Sequence, residues 1–402
     1  MIIQSLLDLD FYKLTMMQLV WKLHRDVPVK YAFINRTKRV PLPWHVRQTD
    51  LERELTEAGK LRLAAGERSY LESLGFFGAE FLDALSSLEP SPVRVGVEAG
   101  QYSVTVEGTW FRSILWETFI LSIMNELYNR DVRSRLGQGD VDAYLGGARR
   151  LRRKLKRLKE RGVGGIIEFG TRRRDSARWQ RHVVEELSGH LGRQFTGTSN
   201  VHLARTLGLR PIGTFAHELF MIYAGIHGGS DEGLRGSHGL VLRDWWQFYG
   251  EPLSIALTDT FGSKFFFRDF TEERAKSWRG LRQDSGDPFE FGERAEAYYR
   301  GLGIDPKSKT VVFSDGLDID TVLALHERFD GRLGLAFGWG TDLTNDLGLD
   351  PLSLVVKAVE ANGRPLVKLS DNKAKALGPK EEVERYARVF QYGHDYEKEC
   401  LV

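Results

Sequence analysis

The sequence predicts an α/β protein in which a barrel of alternating strands and helices is joined to a second, α+β domain. Two observations predict the barrel: from about residue 163 short apolar runs alternate with amphipathic stretches, and nearly every run ends in polar residues. Strands that alternate with helices pair in parallel through right-handed crossovers. A third observation, alternating apolar residues near both ends of the chain, predicts antiparallel strands in the second domain.

Length and composition agree with this division. A chain of 402 residues, 42% of them hydrophobic, is long enough for two domains with sizeable cores. The net charge of +2 argues against a chain that binds nucleic acid or membranes over its whole surface. The single cysteine, Cys400, fits a reducing compartment. The first residues lack a signal-peptide pattern, and no stretch of about 18 apolar residues occurs, so we expect a cytoplasmic protein.

The α+β domain is expected to comprise residues 1–130 and about 352–402. Helical spacing of apolar residues predicts a helix over 10–24, with Asp10 as a plausible N-cap. Further elements are predicted in this order: two or three helices over 48–88, a hairpin over 93–107, a buried helix over 110–129, and a hairpin made of 352–357 and 366–370.

The barrel domain is expected over residues 131–351. Its predicted strands are the runs 165–170, 194–200, 211–217, 254–261, 280–286, 310–315 and 332–338. The residues that end or follow these runs are Arg172, Ser199, His217, Asp259, Asp284, Asp315 and Thr341. An open doubly wound sheet remains possible, but in such a sheet only the few strand ends beside the switch point would carry functional residues. A barrel brings all strand ends to one mouth, which favours the barrel.

Two glycine-containing segments suit phosphate and ribose. The glycines Gly338 and Gly340 with Thr341 allow backbone N–H groups to approach an anion, although a tight turn is the alternative. A third glycine of the dinucleotide fingerprint is missing there. Asp315, followed by Gly316, suits a ribose hydroxyl or a Mg²⁺-bound water, and a plain turn is equally consistent with this segment.

Two arginine-containing segments suit anionic ligands. Arg282 and Asp284 lie close together, as expected for binding Mg²⁺-diphosphate, with an Asp-Ser-Gly turn as the alternative. Phe169 and Arg172 follow a strand, where an aromatic face and a guanidinium suit a flat ring that carries a carboxylate. The neighbouring arginines fit the solvated face of a helix.

His217 follows the third run and has three possible roles. It is either a hydrogen-bonded core residue, a general base, or a nucleophile that accepts a phosphoryl group. The nine Lys/Arg of residues 149–161 form a further feature. Their leucine spacing favours an amphipathic surface helix over a nucleic-acid patch, because stacking aromatics are not interleaved with the basic residues.

Together these motifs resemble the nicotinate phosphoribosyltransferase family. They are Glu-Phe-Gly-Thr-Arg, Gly-Thr-Ser-Asn, Gly-Thr-Phe-Ala-His-Glu, Thr-Asp-Thr-Phe, Arg-Gln-Asp-Ser-Gly-Asp, Ser-Asp-Gly-Leu and Phe-Gly-Trp-Gly-Thr, in this order. The resemblance implies the irregular α/β barrel of type II phosphoribosyltransferases. It also implies that the enzyme makes nicotinate mononucleotide and diphosphate from nicotinate and phosphoribosyl diphosphate (PRPP) in NAD salvage, with ATP hydrolysis coupled through a phosphohistidine.

The resemblance also assigns residues. It makes His217 the phosphorylated residue and the catalytic one. The implied nicotinate-binding residues are Tyr12, Phe169, Arg172, Thr214 and Arg282. The implied PRPP-binding residues are Asp284, Asp315, Gly316, Gly338, Gly340 and Thr341. ATP and Mg²⁺ are the implied cofactors, with Mg²⁺-diphosphate near Asp284 and Asp315. A homodimer in which Tyr12 reaches the neighbour's site is expected.

Three alternatives remain. A nicotinamide phosphoribosyltransferase would carry an aspartate where this chain has Ser199, and a quinolinate phosphoribosyltransferase would need more basic residues for a second carboxylate. The alternative from another class is a non-enzymatic protein that binds nucleotides or nucleic acid through residues 149–161.

Overall fold

A computed structural model describes residues 1–372 and 375–393 of the chain, so Cys400 lies outside the described residues. The helices and strands of the first 213 residues occur in the following order. They are α1 (Phe11–Leu23), β1 (Pro28–Asn35), α2 (Gln48–Gly59), α3 (Ala65–Ser73), α4 (Ala79–Ser86), β2 (Val93–Glu98), β3 (Gln101–Thr109), α5 (Trp110–Ser113), α6 (Trp116–Arg135), α7 (Asp140–Glu160), β4 (Ile166–Glu168), α8 (Ala177–Leu191), β5 (Phe195–Thr198) and α9 (Val201–Leu207).

The remaining elements alternate between helix and strand before the C-terminal hairpin and helix. They are α10 (His217–His227), α11 (Asp231–Tyr249), β6 (Ile255–Leu257), α12 (Ser263–Asp269), α13 (Glu272–Ser277), β7 (Gly280–Gln283), α14 (Pro288–Gly301), β8 (Thr310–Phe313), α15 (Ile319–Phe329), β9 (Gly334–Trp339), α16 (Thr341–Thr344), β10 (Leu354–Ala361), β11 (Arg364–Pro365) and α17 (Lys380–Val389).

Contacts between Cα atoms divide the chain into two compact units. The first unit comprises residues 1–26, 30–213 and 339–357, and the second comprises residues 27–29, 214–338 and 358–402. The domain boundaries expected from the sequence stay a prediction. None of the helices in the described part of the chain is both long enough and apolar enough to cross a bilayer.

The first unit contains an antiparallel sheet and a parallel pair of strands. β2 and β3 form the predicted hairpin, with Val93 opposite Val106 and Glu98 opposite Gln101. β4 and β5 pair in parallel, so both strands end at the same edge. The helix predicted over 110–129 is divided into α5 and α6. Residues 149–160 of the basic run lie in α7, as the leucine spacing predicted, and Arg161 is the C-cap of this helix.

The second unit contains a parallel sheet with strands in the order β9-β8-β7-β6. Most of its apolar strand residues are buried, as expected for parallel strands. Behind the sheet, Phe215 packs on Trp245 with ring centroids 4.7 Å apart. The carboxyl ends of these strands share one edge, which brings the residues that follow them together.

The run Pro211–His217 is not a strand, contrary to the prediction. Pro211 forms only an isolated bridge with Thr198, because its nitrogen carries no hydrogen for a ladder. Ile212 donates one backbone hydrogen bond to Thr198, at 2.9 Å. The Thr214 hydroxyl donates to the carbonyl oxygen of Ile255 in β6, at 3.2 Å. His217 is therefore the first residue of α10 and not the end of a strand.

The C-terminal hairpin also differs in extent from the prediction. β10 runs to Ala361 and pairs with β11, and Asn362 and Gly363 between them have φ values of 53° and 72°. Two residues with positive φ are typical of a two-residue hairpin turn. The second predicted run is mostly irregular, because Lys368 bridges Leu377 and Leu369 donates its N–H to the carbonyl of Thr260 instead.

A buried polar network supports the end of β4 in the first unit. The Glu168 carboxylate is fully buried and accepts hydrogen bonds from the Gly170 N–H and the Thr198 hydroxyl, both at 2.5 Å. The amide nitrogen of Gln180 donates to both Glu168 oxygens, at 3.1 and 3.2 Å. Burial raises the pKa of Glu168 to about 7, although these hydrogen bonds oppose the rise.

Arg174 completes the network and corrects an expectation. Its guanidinium is 1% exposed and donates to both Asp8 oxygens, at 2.6 and 2.8 Å, and to Gln180 at 3.1 Å. The interpretation that the arginines after Arg172 form a solvated face is therefore wrong for Arg174. A buried arginine requires a partner of this kind, because an unpaired charge in the interior is strongly destabilising.

The raised pKa of Glu168 predicts that the free energy of unfolding depends on pH. Because the pKa of Glu168 is higher in the folded chain than the ordinary value of 4.5, this residue stabilises the fold below pH 4.5, and that contribution is lost as pH rises through about 7. The wild type should therefore lose roughly 3 kcal/mol relative to Glu168→Gln over this range. Melting temperatures of both proteins at closely spaced pH values measure the difference. The exposed Glu185→Gln variant serves as the control, and a wild-type curve parallel to that of Glu168→Gln would contradict the assignment.

Candidate active site

His217 lies at the centre of a buried cluster in the second unit. Its Nδ1 is 2.9 Å from the hydroxyl of Thr260. Its Nε2 is 2.8 Å from the Asp284 carboxylate and 3.0 Å from the Lys368 ammonium. Asp259 lies 3.8 Å from the same nitrogen. The cluster is formed by the start of α10, the loops after β6 and β7, and the segment after β11, and the loop after β6 contributes two of its residues.

The cluster keeps the imidazole neutral. Burial, and next the Lys368 charge, lower the pKa of His217 to about 4, although Asp259 and Asp284 oppose this shift. The neutral ring satisfies its neighbours in either of two tautomers. With the proton on Nδ1 it donates to Thr260, and Nε2 accepts from Lys368. With the proton on Nε2 it donates to Asp284. The first tautomer presents a lone pair on Nε2, as a nucleophile requires.

Asp284 remains a carboxylate in spite of its burial. Burial alone would raise its pKa, but Arg282, His217 and Lys368 hold the pKa well below the usual value. The Arg282 guanidinium lies 2.8 Å from the other Asp284 oxygen and 2.8 Å from the Ser314 hydroxyl. Arg282 was predicted to bind nicotinate, and Asp284 was predicted to bind PRPP. In this structure the two residues form an ion pair with each other.

The same cluster contains a candidate divalent-cation site. Ligand atoms of His217, Asp259 and Asp284 lie within 4.8 Å of one another. Among the described residues, Asp259 Oδ1 is buried and has no hydrogen-bond partner, which is consistent with a cation ligand. The two carboxylates fit Mg²⁺, which prefers oxygen ligands. Asp315 does not belong to this group, although the sequence placed Mg²⁺ near it.

Asp315 pairs with the ammonium of Lys375. Burial raises the pKa of Asp315 even though Lys375 lowers it. Gly316 follows with a φ of 57°, a left-handed conformation that suits glycine in the turn after β8. The turn predicted for this segment is therefore present, and the carboxylate lies at the same strand edge as Arg282 and Asp284.

A second cluster of charges surrounds Tyr12 in the first unit. The Arg172 guanidinium lies 5.3 Å from the centre of the Tyr12 ring. It is also 3.2 Å from Asp10 and 2.9 Å from Glu117. The Ser199 hydroxyl donates to the other Asp10 oxygen at 2.7 Å. Arg172 is thus positioned by carboxylates from the chain's first residues and from α6.

Glu117 also pairs with two lysines, Lys13 and Lys357. The Lys13 ammonium is 2.6 Å away and completely buried, and that of Lys357 is 3.4 Å away. Burial would raise the pKa of Glu117, but Lys13, Lys357 and Arg172 hold it well below its usual value. Among the described residues of this cluster, the cations outnumber the carboxylates of Asp10 and Glu117. An excess of positive charge beside an aromatic ring suits a flat anion.

The remaining predicted residues lie at strand ends. Phe169 follows β4, and its N–H donates to the Trp339 carbonyl at 2.9 Å. Gly338 lies in β9, and Gly340 and Thr341 follow as the chain enters α16. A Cβ atom on Gly340 would lie 3.1 Å from the Phe169 carbonyl oxygen, so glycine permits this close approach.

Several contacts in these clusters were missed by sequence reasoning. Thr260 and Lys368 flank His217, and Lys13 and Glu117 surround Arg172. The sequence does indicate that Lys368 has a buried partner, because a lysine inside the apolar run Leu366–Leu369 is unusual unless it is paired. The pairing of Lys13 with Glu117 could not be predicted, because the position of Lys13 in α1 gives no indication of a partner in α6.

Comparisons with known proteins agree with this geometry. The model of the nicotinate phosphoribosyltransferase family matches residues 165–394, and that of its N-terminal domain matches residues 7–125. The crystal structure of nicotinate phosphoribosyltransferase from Porphyromonas gingivalis is 31% identical, with a TM-score of 0.88 over 97% of this chain and 100% of that one.

The crystal structure of nicotinate phosphoribosyltransferase from Vibrio cholerae is 35% identical, with a TM-score of 0.88 over 98% of this chain and 95% of that one. These similarities confirm the predicted fold class, a mixed α/β protein of the type II phosphoribosyltransferase kind. The chain belongs to the nicotinate phosphoribosyltransferase family.

Proposed function

We propose that this protein joins nicotinate to the ribose 5-phosphate of PRPP, and that ATP hydrolysis is coupled to the reaction through a phosphohistidine at His217. The products are nicotinate mononucleotide and diphosphate, which places the enzyme in NAD salvage. The observation that carries the proposal is the buried, neutral His217 between Lys368 and the carboxylates of Asp259 and Asp284, in a chain of this family.

The residues around Tyr12 are proposed to bind nicotinate. Tyr12 and Phe169 would stack on the pyridine ring, and Arg172 would pair with its carboxylate. The excess of cations around Glu117 supports an anionic ligand rather than a neutral amide. Thr214 and Arg282 are proposed as further contacts of nicotinate, on the strength of the family resemblance.

The family resemblance assigns PRPP binding to residues that end or follow strands. Asp284 and Asp315 would bind the ribose and the diphosphate, and the glycines would hold the 5-phosphate, as would Thr341. The residues proposed for the 5-phosphate are Gly316, Gly338, Gly340 and Thr341. When bound, Mg²⁺ neutralises charge on the diphosphate leaving group. The carboxylates of Asp259 and Asp284 would hold that ion.

The transfer step itself needs no base. The pyridine nitrogen of nicotinate donates its lone pair to C1 of the ribose, and the bond from C1 to the diphosphate oxygen breaks. No proton is transferred, so the protein contributes orientation of the ring and stabilisation of the departing charge. This requirement fits sites rich in arginine and lysine.

His217 is proposed to act in the coupling step. Its Nε2 lone pair attacks the γ-phosphorus of ATP, a P–N bond forms, and the P–O bond to ADP breaks. Lys368, at 3.0 Å, would stabilise the phosphoryl oxygens, and the carboxylates of Asp259 and Asp284 would offset positive charge on the ring. Water later hydrolyses the P–N bond, which releases phosphate.

Two further statements remain proposals that rest on the family resemblance. We propose a homodimer in which Tyr12 serves the neighbouring subunit's site. We also propose a cytoplasmic location, where NAD salvage would use the product.

The choice of substrate gives the first prediction. With PRPP and Mg²⁺, the protein should use nicotinate at least about 100-fold better, in kcat/KM, than nicotinamide or quinolinate. Arg172 would pair with a single carboxylate. Ser199 stands where a nicotinamide phosphoribosyltransferase would carry an aspartate that accepts a hydrogen bond from the amide. Chromatographic detection of each mononucleotide measures this. Preferred turnover of nicotinamide would contradict the proposal.

A second prediction concerns Arg172. Arg172→Ala should raise the KM for nicotinate roughly tenfold or more and leave the KM for PRPP within about twofold, because only the pyridine substrate loses its partner. Steady-state kinetics with each substrate varied in turn measure the split. Arg181→Ala, an exposed arginine of α8, is the matched control. Equal increases in both KM values would rule out a carboxylate contact.

A third prediction concerns His217. His217→Ala should abolish stimulation by ATP and retain ATP-independent synthesis of the mononucleotide at high PRPP, because the variant lacks the phosphoryl acceptor while the transfer step needs no base. Initial rates with and without ATP measure this. His190→Ala, an exposed histidine of α8, controls for the loss of an imidazole. Unchanged stimulation by ATP would exclude the coupling role.

A further inference from the structure

We propose that Lys154 is a positioning residue for the segment Trp339–Asp346, and that it thereby governs the affinity for PRPP. We call these residues the phosphate segment, because the proposed 5-phosphate contacts Gly340 and Thr341 lie within it. The inference rests on the proposed function. It also assigns a purpose to part of the basic run 149–161, which the nicotinate and PRPP contacts leave unused.

Lys154 differs from most of the basic run in pointing into the protein. It is 9% exposed, and its ammonium lies 2.9 Å from the Asp342 carboxylate and 2.8 Å from the Asp346 carboxylate. It also donates a hydrogen bond to the backbone carbonyl of Asp342. A single cation therefore holds two acids that are four residues apart, one within α16 and one just after it.

Other contacts at the same place strengthen this arrangement. Lys154 lies 5.8 Å from the centre of the Trp339 ring, which is fully buried. Arg150, one turn earlier in α7, lies 2.7 Å from the Asp346 carboxylate and donates to its carbonyl oxygen at 2.8 Å. The phosphate segment is thus attached to α7 at Trp339, at Asp342 and at Asp346.

The short helix α16 requires such attachment. It comprises only Thr341–Thr344, and a single helical turn is not stable by itself in water. The backbone of Gly340 and Thr341 is therefore held in place by tertiary contacts and not by helix propensity. A shift of about 1 Å in groups that position a substrate can cost on the order of 100-fold in rate.

Charge provides a second reason. Lys154 and Arg150 balance the carboxylates of Asp342 and Asp346. Removal of Lys154 takes away the positive charge 2.9 Å from the Asp342 carboxylate, one residue from Thr341, where a phosphate with about two negative charges is proposed to bind. Both effects, displacement of the segment and repulsion, weaken the binding of PRPP and leave the contacts of the pyridine carboxylate unchanged.

The test compares three variants of the full-length protein. Lys154→Met removes the charge and retains much of the side-chain volume. Lys154→Arg restores the charge. Lys156→Met is the matched control, because Lys156 lies on the same helix with its side chain 75% exposed. The KM values for PRPP and nicotinate, kcat, the melting temperature and amide hydrogen exchange of residues 340–346 are measured for each.

We expect Lys154→Met to raise the KM for PRPP roughly tenfold with the KM for nicotinate within about twofold. It should also accelerate hydrogen exchange at 340–346. Lys154→Arg should recover most of the PRPP affinity, and Lys156→Met should match the wild type. A wild-type KM for PRPP in Lys154→Met would overturn the proposal. So would equal rises in both KM values together with a lower melting temperature, because that result indicates a general structural role.

Two further measurements keep the test decisive. If Lys154→Met does not fold, Lys154→Gln removes the same charge and retains a hydrogen-bond donor for the Asp342 carbonyl, and the same rise in the KM for PRPP is expected. If the wild type does not turn over nicotinate with PRPP, the proposed function fails. In that case hydrogen exchange and calorimetric binding of PRPP to Lys154→Met and Lys156→Met still decide the role of Lys154.

Discussion

The proposed chemistry depends on a buried imidazole whose two nitrogens face different partners. Nδ1 of His217 is hydrogen-bonded to the Thr260 hydroxyl, whereas Nε2 faces the Lys368 ammonium and the Asp284 carboxylate. Burial and the neighbouring ammonium keep the ring neutral, and the carboxylates keep the cluster from carrying an uncompensated positive charge. Such a ring offers a lone pair to an electrophile and can carry a labile phosphoryl group. The positions of α10, β6 and β7 matter for function mainly because they assemble this cluster.

Charge compensation is the feature that the charged clusters share. Glu117 is surrounded by Lys13, Lys357 and Arg172, and Lys154 holds Asp342 together with Asp346. In each case a buried charge is tolerated because several partners from distant parts of the chain meet it. Removal of one partner changes the charge balance for all the others, so these residues are coupled to one another.

The sequence allowed the larger elements to be predicted because their signals are local. The strands β6 to β9 appear as short apolar runs, and α7 appears as leucines at helical spacing. The segment before His217 was predicted incorrectly, because an apolar run that contains Pro211 resembles a strand although it forms only one bridge. The pairing of His217 with Lys368 and of Arg172 with Glu117 could not be predicted, because these partners are far apart in sequence and only the fold brings them together.

The central claim is that His217 accepts the γ-phosphoryl group of ATP. The most direct measurement is mass spectrometry of the protein after brief incubation with ATP and Mg²⁺, with proteolysis at alkaline pH to preserve a P–N bond. We predict a phosphoryl group on the peptide that contains His217, lost in mild acid and absent from His217→Ala. A stable phosphoryl group on another residue, or an unmodified His217 peptide in a protein whose activity is stimulated by ATP, would contradict it.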